Sequence, residues 1–198
     1  MDNKIYSANL TGAWFLFYEI KQVAKLIESG LTKIEIKEKV IEGNLFQHKR
    51  RSSISRAFPS VLRRAELLGS DLRKFLIDGS IEDGKLINLY AIAEEDLLFG
   101  EFLNEIIKEK YESNHLLLEK RDVNMYFTHK AEQNERVAGF TDATMNKLRQ
   151  VYLKVLMEAG ILTSLKTGEM NRIYFDAEVK DTFINNGAIG FVRIFETR

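Results

Sequence analysis

Basic side chains collected on one predicted helix are the strongest chemical feature of this sequence. Residues 47–74 include eight basic and two acidic residues, a net charge of +6. At 100° per residue, Arg56, Ser60 and Arg63 fall on one face of a helix. The free backbone N–H groups at a helix start can also bind a phosphate. We therefore predict a DNA-binding surface made of Lys49, Arg50, Arg51, Ser53, Arg56, Ser60, Arg63 and Arg64.

A second predicted helix, beginning after Thr141, has a polar face of Asn, Gln and Lys residues, which can read base edges in the major groove. Residues 161–175 then show the alternation and the turn of a β-hairpin. Two helices followed by a hairpin are the order of a winged helix, in which the second helix enters the groove. The second predicted set of DNA contacts is Asn146, Lys147, Arg149, Gln150 and Lys154, with Lys166 and Arg172 on the wing.

Both surfaces are also compatible with roles other than DNA binding, since the basic helix could be a solvated face that pairs with an acidic block, within the chain or in a partner. Residues 75–119 contain eleven acidic and three basic residues, a net charge of −8, whereas the whole chain has 29 of each. A protein-interaction adaptor would use such opposed basic and acidic faces to dock its partners. A helical RNA-binding module would also need basic helices, and the helix after Thr141 is equally typical of an ordinary amphipathic helix.

Catalytic and metal-binding patterns are weak in this sequence. The absence of cysteine excludes disulfides, thiolate nucleophiles and Cys-ligated zinc. His48, His115 and His129 do not pair at helical i, i+4 spacing, and no glycine-rich phosphate loop occurs. Asp176 to Lys180 loosely matches an acidic-plus-lysine nuclease pattern, but Asp176 fits a helix N-cap better. We therefore expect no enzymatic activity, no cofactor and no metal.

Helix start signals set out the elements that must position these residues. Thr11 can cap a helix that runs through Ser29, and Thr32 with Glu35 three residues later forms a capping box. Ser52 or Ser53 can cap the basic helix, inside which Pro59 either introduces a kink or begins a second half. Thr141, Asp122 and Asp176 can cap three later helices. The chain is therefore predicted to be mainly α.

The length of 198 residues suits one compact domain or two small ones. We predict an N-terminal helical part, residues 1–118, with a helix-turn-helix-like trio that ends in the basic helix. A C-terminal part, residues 119–198, is predicted to be winged-helix-like, with a small β-hairpin, a terminal helix and a tail. The longest apolar stretch near the start is too short to span a membrane, so we expect a soluble protein. The absence of cysteine fits a reducing cytoplasm.

Four stretches in fixed order carry a resemblance to a known family. They are Ile5-Tyr6-Ser7-Ala8, then 42–47 (EGNLFQ), then 122–127 (DVNMYF), and then 148–150 (LRQ) followed by 158–162 (EAGIL). In order and spacing they resemble the BrxA family, a small component of bacterial BREX phage-resistance systems. The resemblance covers nearly the whole chain.

This resemblance implies a mostly helical cytoplasmic protein with helix-turn-helix-like parts and no known catalytic activity. It implies DNA binding with little sequence preference, and a role in anti-phage defence alongside a methyltransferase and ATPases. The expected partners are double-stranded DNA and other BREX proteins, with no membrane, and homo-oligomer formation is left open. The resemblance supplies no catalytic residues, so the DNA-contact residues remain those of the two basic surfaces.

Overall fold

The computed structural model describes residues 5–196, and it is helical along most of that range. The helices are α1 (Phe17–Glu28), α2 (Lys33–Glu42), α3 (Arg51–Leu67), α4 (Ser70–Asp78), α5 (Ile81–Glu95), α6 (Leu97–Phe102), α7 (Lys108–Glu112), α8 (Lys120–Gln133), α9 (Glu135–Ala138), α10 (Asp142–Glu158), α11 (Ala177–Asn185) and α12 (Ile189–Phe195). A 3-10 turn, Asn9–Thr11, precedes α1, and a π-helical turn, Leu103–Ile107, joins α6 to α7. The predicted mainly-α class is confirmed.

The helices pack around one continuous apolar core. Among the N-terminal helices, α1, α2 and α3 contact one another, and α5 packs against both α3 and α4. Near the other end of the chain, α11 packs against α4, and α12 packs against α7. Helix α10 contacts α8 and the 3-10 turn Asn9–Thr11. Helices distant in sequence therefore share one core, and α10 packs against the 3-10 turn that precedes α1.

Three of the predicted helix caps are confirmed. Thr32 and Glu35 form the reciprocal capping box at the start of α2. The side chains of Thr141 and Asp176 accept hydrogen bonds from backbone N–H groups at the starts of α10 and α11. At α8 the N-cap is Glu119, and the predicted cap Asp122 is its capping-box partner three residues later. Local side-chain chemistry thus sets where these helices begin.

The predicted helix from Thr11 to Ser29 is wrong in its first turns, because α1 begins only at Phe17. The residue before it, Leu16, has a left-handed backbone with φ of 48°. The carbonyl oxygens of Ala13 and Trp14 accept hydrogen bonds from the Arg64 side chain instead of from a helix. The segment between the 3-10 turn and α1 is therefore held in a non-helical shape by α3.

The predicted β-hairpin over residues 161–175 is reduced to isolated bridges in the described residues. Leu162 and Met170 form one antiparallel bridge. Glu169, the residue before Met170, forms a second antiparallel bridge with Leu117. Beyond Asn171 the pairing stops, since the Asn171 carbonyl accepts a hydrogen bond from the Tyr111 hydroxyl at 2.5 Å. The chain then continues to α11 without further ladder bonds, so no sheet forms.

No helix in the range 5–196 is both long enough and apolar enough to cross a membrane. The same residues hold no cluster of three or more His, Asp and Glu side chains that could bind a metal ion.

Candidate nucleic-acid interface

The loop between α2 and α3 is fixed by its own side chains. The Asn44 side chain accepts a hydrogen bond from the His48 backbone N–H at 3.1 Å and donates to the His48 carbonyl at 3.2 Å. Gln47 Nε2 donates to the Tyr18 hydroxyl at 2.8 Å, and His48 Nε2 lies 2.8 Å from Glu19 Oε1. Two consecutive loop residues are thus tied to α1. This anchoring places the next residues, Lys49 and Arg50, at the entrance to α3, where both are exposed.

Helix α3 starts earlier than predicted. Its N-cap is Arg50, not Ser52 or Ser53, and no side chain caps the first N–H groups. The helix is continuous through Pro59 from Arg51 to Leu67. The first turn therefore presents uncapped N–H groups next to exposed cations, an arrangement that favours an anion.

The eight predicted residues of this surface are split by the fold. Lys49, Arg50, Arg51, Ser53 and Arg56 are exposed. Arg51 forms an ion pair with Glu42, which offsets its charge. Lys49, Arg50 and Arg56 form no ion pair with any residue in the described range.

Arg64 differs most from its predicted place on the DNA-binding surface. Its side chain is only 1% exposed, with Nε 2.6 Å from Glu95 Oε2 and Nη1 2.7 Å from the Trp14 carbonyl oxygen. Burial lowers the pKa of Arg64, while the Glu95 carboxylate opposes that shift. The donors of this guanidinium are occupied inside the core, so the Arg64 side chain does not face solvent. It connects α3 to α5 and to the segment between the 3-10 turn and α1.

Arg63 and Ser60 are also engaged within the chain. Arg63 Nη2 lies 2.8 Å from Glu95 Oε1, with half of the Arg63 side chain exposed. Ser60 is buried, and its hydroxyl accepts a hydrogen bond from Arg63 at 3.2 Å. Much of the predicted positive charge at this end of α3 is therefore balanced by Glu95.

The second predicted set lies on α10 and in the loop after it. Asn146, Lys147, Gln150 and Lys154 are exposed, and the i, i+4 spacing aligns three of them along one helix face. Arg149 is partly buried and lies over the Phe127 ring, with its guanidinium carbon 5.6 Å from the ring centroid. Its Nη1 donates to Asn146 Oδ1 at 2.9 Å. The exposed stripe of α10 is therefore built from amides and lysines.

The two residues predicted for the wing lie outside α10. Lys166 is exposed in the turn before Gly168. Arg172 is exposed but donates a hydrogen bond to Asn114 Oδ1, in the segment that follows α7.

A cleft is lined by part of the first predicted surface and lies beside the end of the second. We call it the Trp14 cleft; its volume is about 480 Å³. Its lining comprises Gly12, Trp14, Phe15, Leu16, Phe17, Glu19, His48, Ser53, Arg56, Ala57 and Glu158. Arg56 lies on the α3 side, and Glu158 continues the exposed stripe of α10 by one turn. Lys154 Nζ, at the end of that stripe, lies 5.8 Å from the centroid of the Trp14 ring.

Several residues of the Trp14 cleft were not predicted from the sequence as site residues. Trp14 falls at helical spacing in an apolar run, which is typical of a core residue. Glu19 stands inside the same run, and this isolated carboxylate was the one available signal. In the structure it accepts a hydrogen bond from His48, whose other ring nitrogen, Nδ1, is buried without a partner in the described residues.

Comparison with known proteins identifies the family. The BrxA family model matches residues 4–187. A protein named BREX protein BrxA from Bacillus cereus (strain H3081.97) is 39% identical over 163 residues, covering 82% of each chain. A protein of the same name from Paramagnetospirillum magneticum is 21% identical over 191 residues, covering 96% of each chain.

A crystal structure shares the fold. It is of an uncharacterized protein from Magnetospirillum magneticum and superposes with a TM-score of 0.82 at 22% identity, covering 96% of this chain and 98% of that one. With the family model matched from residue 4 to residue 187 and a relative at 39% identity, the chain belongs to the BrxA family.

Proposed function

We propose that this protein is a non-catalytic, DNA-binding component of a BREX phage-defence system. It binds double-stranded DNA mainly through phosphates and with low sequence preference. Family membership, and relatives named as BREX proteins, support the link to the system. The observation that carries the DNA-binding part is the position of Arg56 and Lys154, which come from distant helices and flank the same cleft.

Five exposed cations form the proposed phosphate contacts. They are Lys49, Arg50 and Arg56 on the α3 side, and Lys147 and Lys154 on α10. None forms an ion pair with another residue of the range 5–196. Lys154 Nζ lies over the Trp14 ring, and its side chain would leave the ring to reach a phosphate. Neutralising about five phosphates gives a slope of about −4 to −5 for log affinity against log salt concentration.

We further propose that α8, α9 and α10, with the bridged segments that lie before α8 and after α10, act as a winged-helix-like unit in which α10 is the groove-binding helix. The bridges of Glu169 to Leu117 and of Met170 to Leu162 support this assignment, because a wing needs its strands paired in that order. Lys166 in the connecting turn would reach a flanking phosphate. The trio α1 to α3 would serve as the helix-turn-helix-like part.

The adaptor alternative receives less support from the carboxylates of residues 75–119. Glu95 is paired with Arg63 and Arg64, and Glu101 and Glu105 both lie 2.6 Å from Lys130 Nζ. These carboxylates neutralise cations of the same chain, so an acidic docking face retains fewer free charges than the sequence suggests.

The test is fluorescence anisotropy with a random-sequence 20-base-pair duplex at several salt concentrations. Arg56→Glu and Lys154→Glu are each expected to weaken binding about tenfold or more for every sequence, and to flatten the salt slope by about 1. Arg193→Glu is the matched control, because Arg193 is exposed on α12, away from the cleft lining. Its affinity is expected to equal that of the wild type.

Equal affinities for the wild type, Arg56→Glu and Lys154→Glu would remove this surface from the proposal. Binding to BREX proteins that survives nuclease treatment, without any duplex binding at low salt, would favour the adaptor. Tighter binding to an RNA duplex of the same sequence would favour the RNA-binding module.

A further inference from the structure

The Trp14 cleft combines the side chains that a single nucleotide needs. Aromatic and apolar side chains, including Trp14 and Phe17, form one wall. Ser53 and Arg56 stand where α3 begins. With a volume of about 480 Å³ the cleft falls in the range of small-molecule pockets, which are mostly apolar with a few placed polar groups.

Two carboxylates make the cleft a poor site for a phosphate alone. Glu158 is exposed and forms no ion pair with residues 5–196. Glu19 uses Oε1 for His48, and its other oxygen has no hydrogen-bond partner in the described range. Repulsion from these two groups restricts a phosphate to the Arg56 end of the cleft.

The same carboxylates can accept hydrogen bonds from an amino group. Adenine, cytosine and guanine each carry an exocyclic amino group, and a carboxylate is a recognised acceptor for that of cytosine. Base stacking on an aromatic ring is largely independent of sequence, because every base has a π face. An aromatic wall, a free carboxylate oxygen and a guanidinium therefore fit the three parts of a nucleotide.

We infer that the Trp14 cleft binds one unpaired nucleotide, with its amino group at Glu19, its phosphate at Arg56 and its base on Trp14 in place of the Lys154 ammonium. The inference rests on the proposed DNA binding, because the flanking cations bring the duplex to the cleft. A paired base is held in the stack by its partner, whereas a mismatched, bulged or terminal base costs least to extrude. The protein would therefore prefer DNA that contains an unpaired nucleotide.

The experiment compares the full chain on a closed hairpin duplex without free ends and on the same duplex with one bulged adenine. The bulged duplex is expected to bind about fivefold tighter or more, which is the effect of stacking one base. In a second duplex, 2-aminopurine replaces the bulged adenine. Binding of the protein is expected to quench the 2-aminopurine fluorescence, because this base stacks on Trp14. Binding of free deoxyadenosine monophosphate, followed by calorimetry, separates a mononucleotide site from a site for DNA.

Variants of Trp14 test whether the preference for the bulged duplex arises in the Trp14 cleft. Trp14→Ala is expected to reduce the bulged-to-perfect affinity ratio to about 1, and Trp14→Phe, which retains an aromatic face, is expected to keep most of it. Arg193→Glu is the control that should leave the ratio unchanged. Circular dichroism melting of each variant checks that a lost ratio does not come from a lost fold.

The outcomes separate the two proposals. Duplex binding with a ratio of 1 in the wild type would overturn the nucleotide cleft and leave the proposed function standing. A high ratio that persists in Trp14→Ala would also overturn it. Calorimetric binding of deoxyadenosine monophosphate that is lost in Trp14→Ala, without any DNA binding, would support the cleft and overturn the proposed function. Absence of binding to every nucleic acid and nucleotide would overturn both.

Discussion

Arg64 on α3 and Glu95 at the end of α5 form a buried ion pair, with Nε 2.6 Å from Oε2. The same guanidinium donates to two backbone carbonyls of residues 13 and 14. One side chain therefore joins α3, α5 and the segment that lines the Trp14 cleft. Arg63, its neighbour in sequence, shares the Glu95 carboxylate from the surface.

Arg64→Ala is expected to destabilise the protein by about 3–5 kcal/mol, because it leaves Glu95 and two carbonyl groups without their buried donor. Arg63→Ala removes an exposed partner of the same carboxylate and is expected to cost about 1 kcal/mol or less. Urea unfolding followed by circular dichroism measures both. If both variants lost a similarly small free energy of unfolding, the buried pair would contribute no more to stability than the exposed one.

Asp96 is expected to make stability depend on pH. Burial raises the pKa of Asp96 to about 6, against the hydrogen bond that its carboxylate accepts from the Phe99 N–H. In the unfolded chain an aspartate titrates near pH 4, so the folded protein holds a proton that the unfolded chain has lost. The contribution of this group to stability is therefore present below about pH 4 and is lost as the pH rises to about 6.

Asp96→Asn keeps an oxygen for the cap of α6 but carries no charge. At pH 8 it is expected to be more stable than the wild type by about 1–3 kcal/mol, and the difference should shrink toward zero near pH 4. Thermal melts across that pH range, with the exposed Glu82→Gln as control, give the comparison. A difference that does not change with pH would contradict the assignment.

Gly168 is expected to be essential to the turn that connects Leu162 to Met170. Its φ is +76°, and a Cβ atom there would collide with the Leu118 carbonyl oxygen. Gly168→Ala is expected to cost about 2–4 kcal/mol, from backbone strain together with overpacking. Gly30 has nearly the same φ, +78°, with open space around it. Gly30→Ala should therefore show the strain alone, about 1–2 kcal/mol, and equal losses would argue against the close approach.

Lys130 is expected to stabilise the packing of α8 against α6 and the π-helical turn that follows it. Its Nζ lies 2.6 Å from both Glu101 Oε2 and Glu105 Oε1, and the side chain is 8% exposed. Burial disfavours the charged lysine, but hydrogen bonds to the two carboxylates outweigh this, and the pKa of Lys130 is raised.

Lys130→Ala is expected to cost about 2–4 kcal/mol, because two carboxylates lose their shared cation. Lys108→Ala is the control, since its pair with Glu112 is longer, 3.8 Å, and lies at the surface. That variant should lose about 0.5 kcal/mol or less. Chemical unfolding that gave the control the larger loss would contradict the prediction.

Local signals in the sequence predicted the parts of the fold that depend on neighbouring residues. The capping box of Thr32 and the caps at Thr141 and Asp176 involve contacts within a few positions, so they could be identified directly. The start of α1 could not, because it depends on Arg64, about fifty positions away. The hairpin failed for a similar reason, since Tyr111 takes the carbonyl where the second strand would continue.

The candidate site shows the same division. Helical spacing correctly grouped the exposed amides and lysines of α10. It could not separate Arg56, which faces the cleft, from Arg64, which is buried against Glu95 from another helix. The cleft itself is made where three distant segments meet, and no pattern within one segment reports it. The division of the chain at residue 118 stays a prediction.

The non-helical segment before α1 has a consequence for how the chain folds. The Tyr6 hydroxyl bonds to Glu101, 95 positions away, and the Phe15 carbonyl accepts from Asn88, 73 positions away. Contacts between such distant positions form slowly, because a long loop must close before they bring any gain. During synthesis this segment leaves the ribosome before Asn88 and Glu101, so it must wait for them before it can dock. The segment before α1 is therefore made earlier than its partners but reaches its native place only after them.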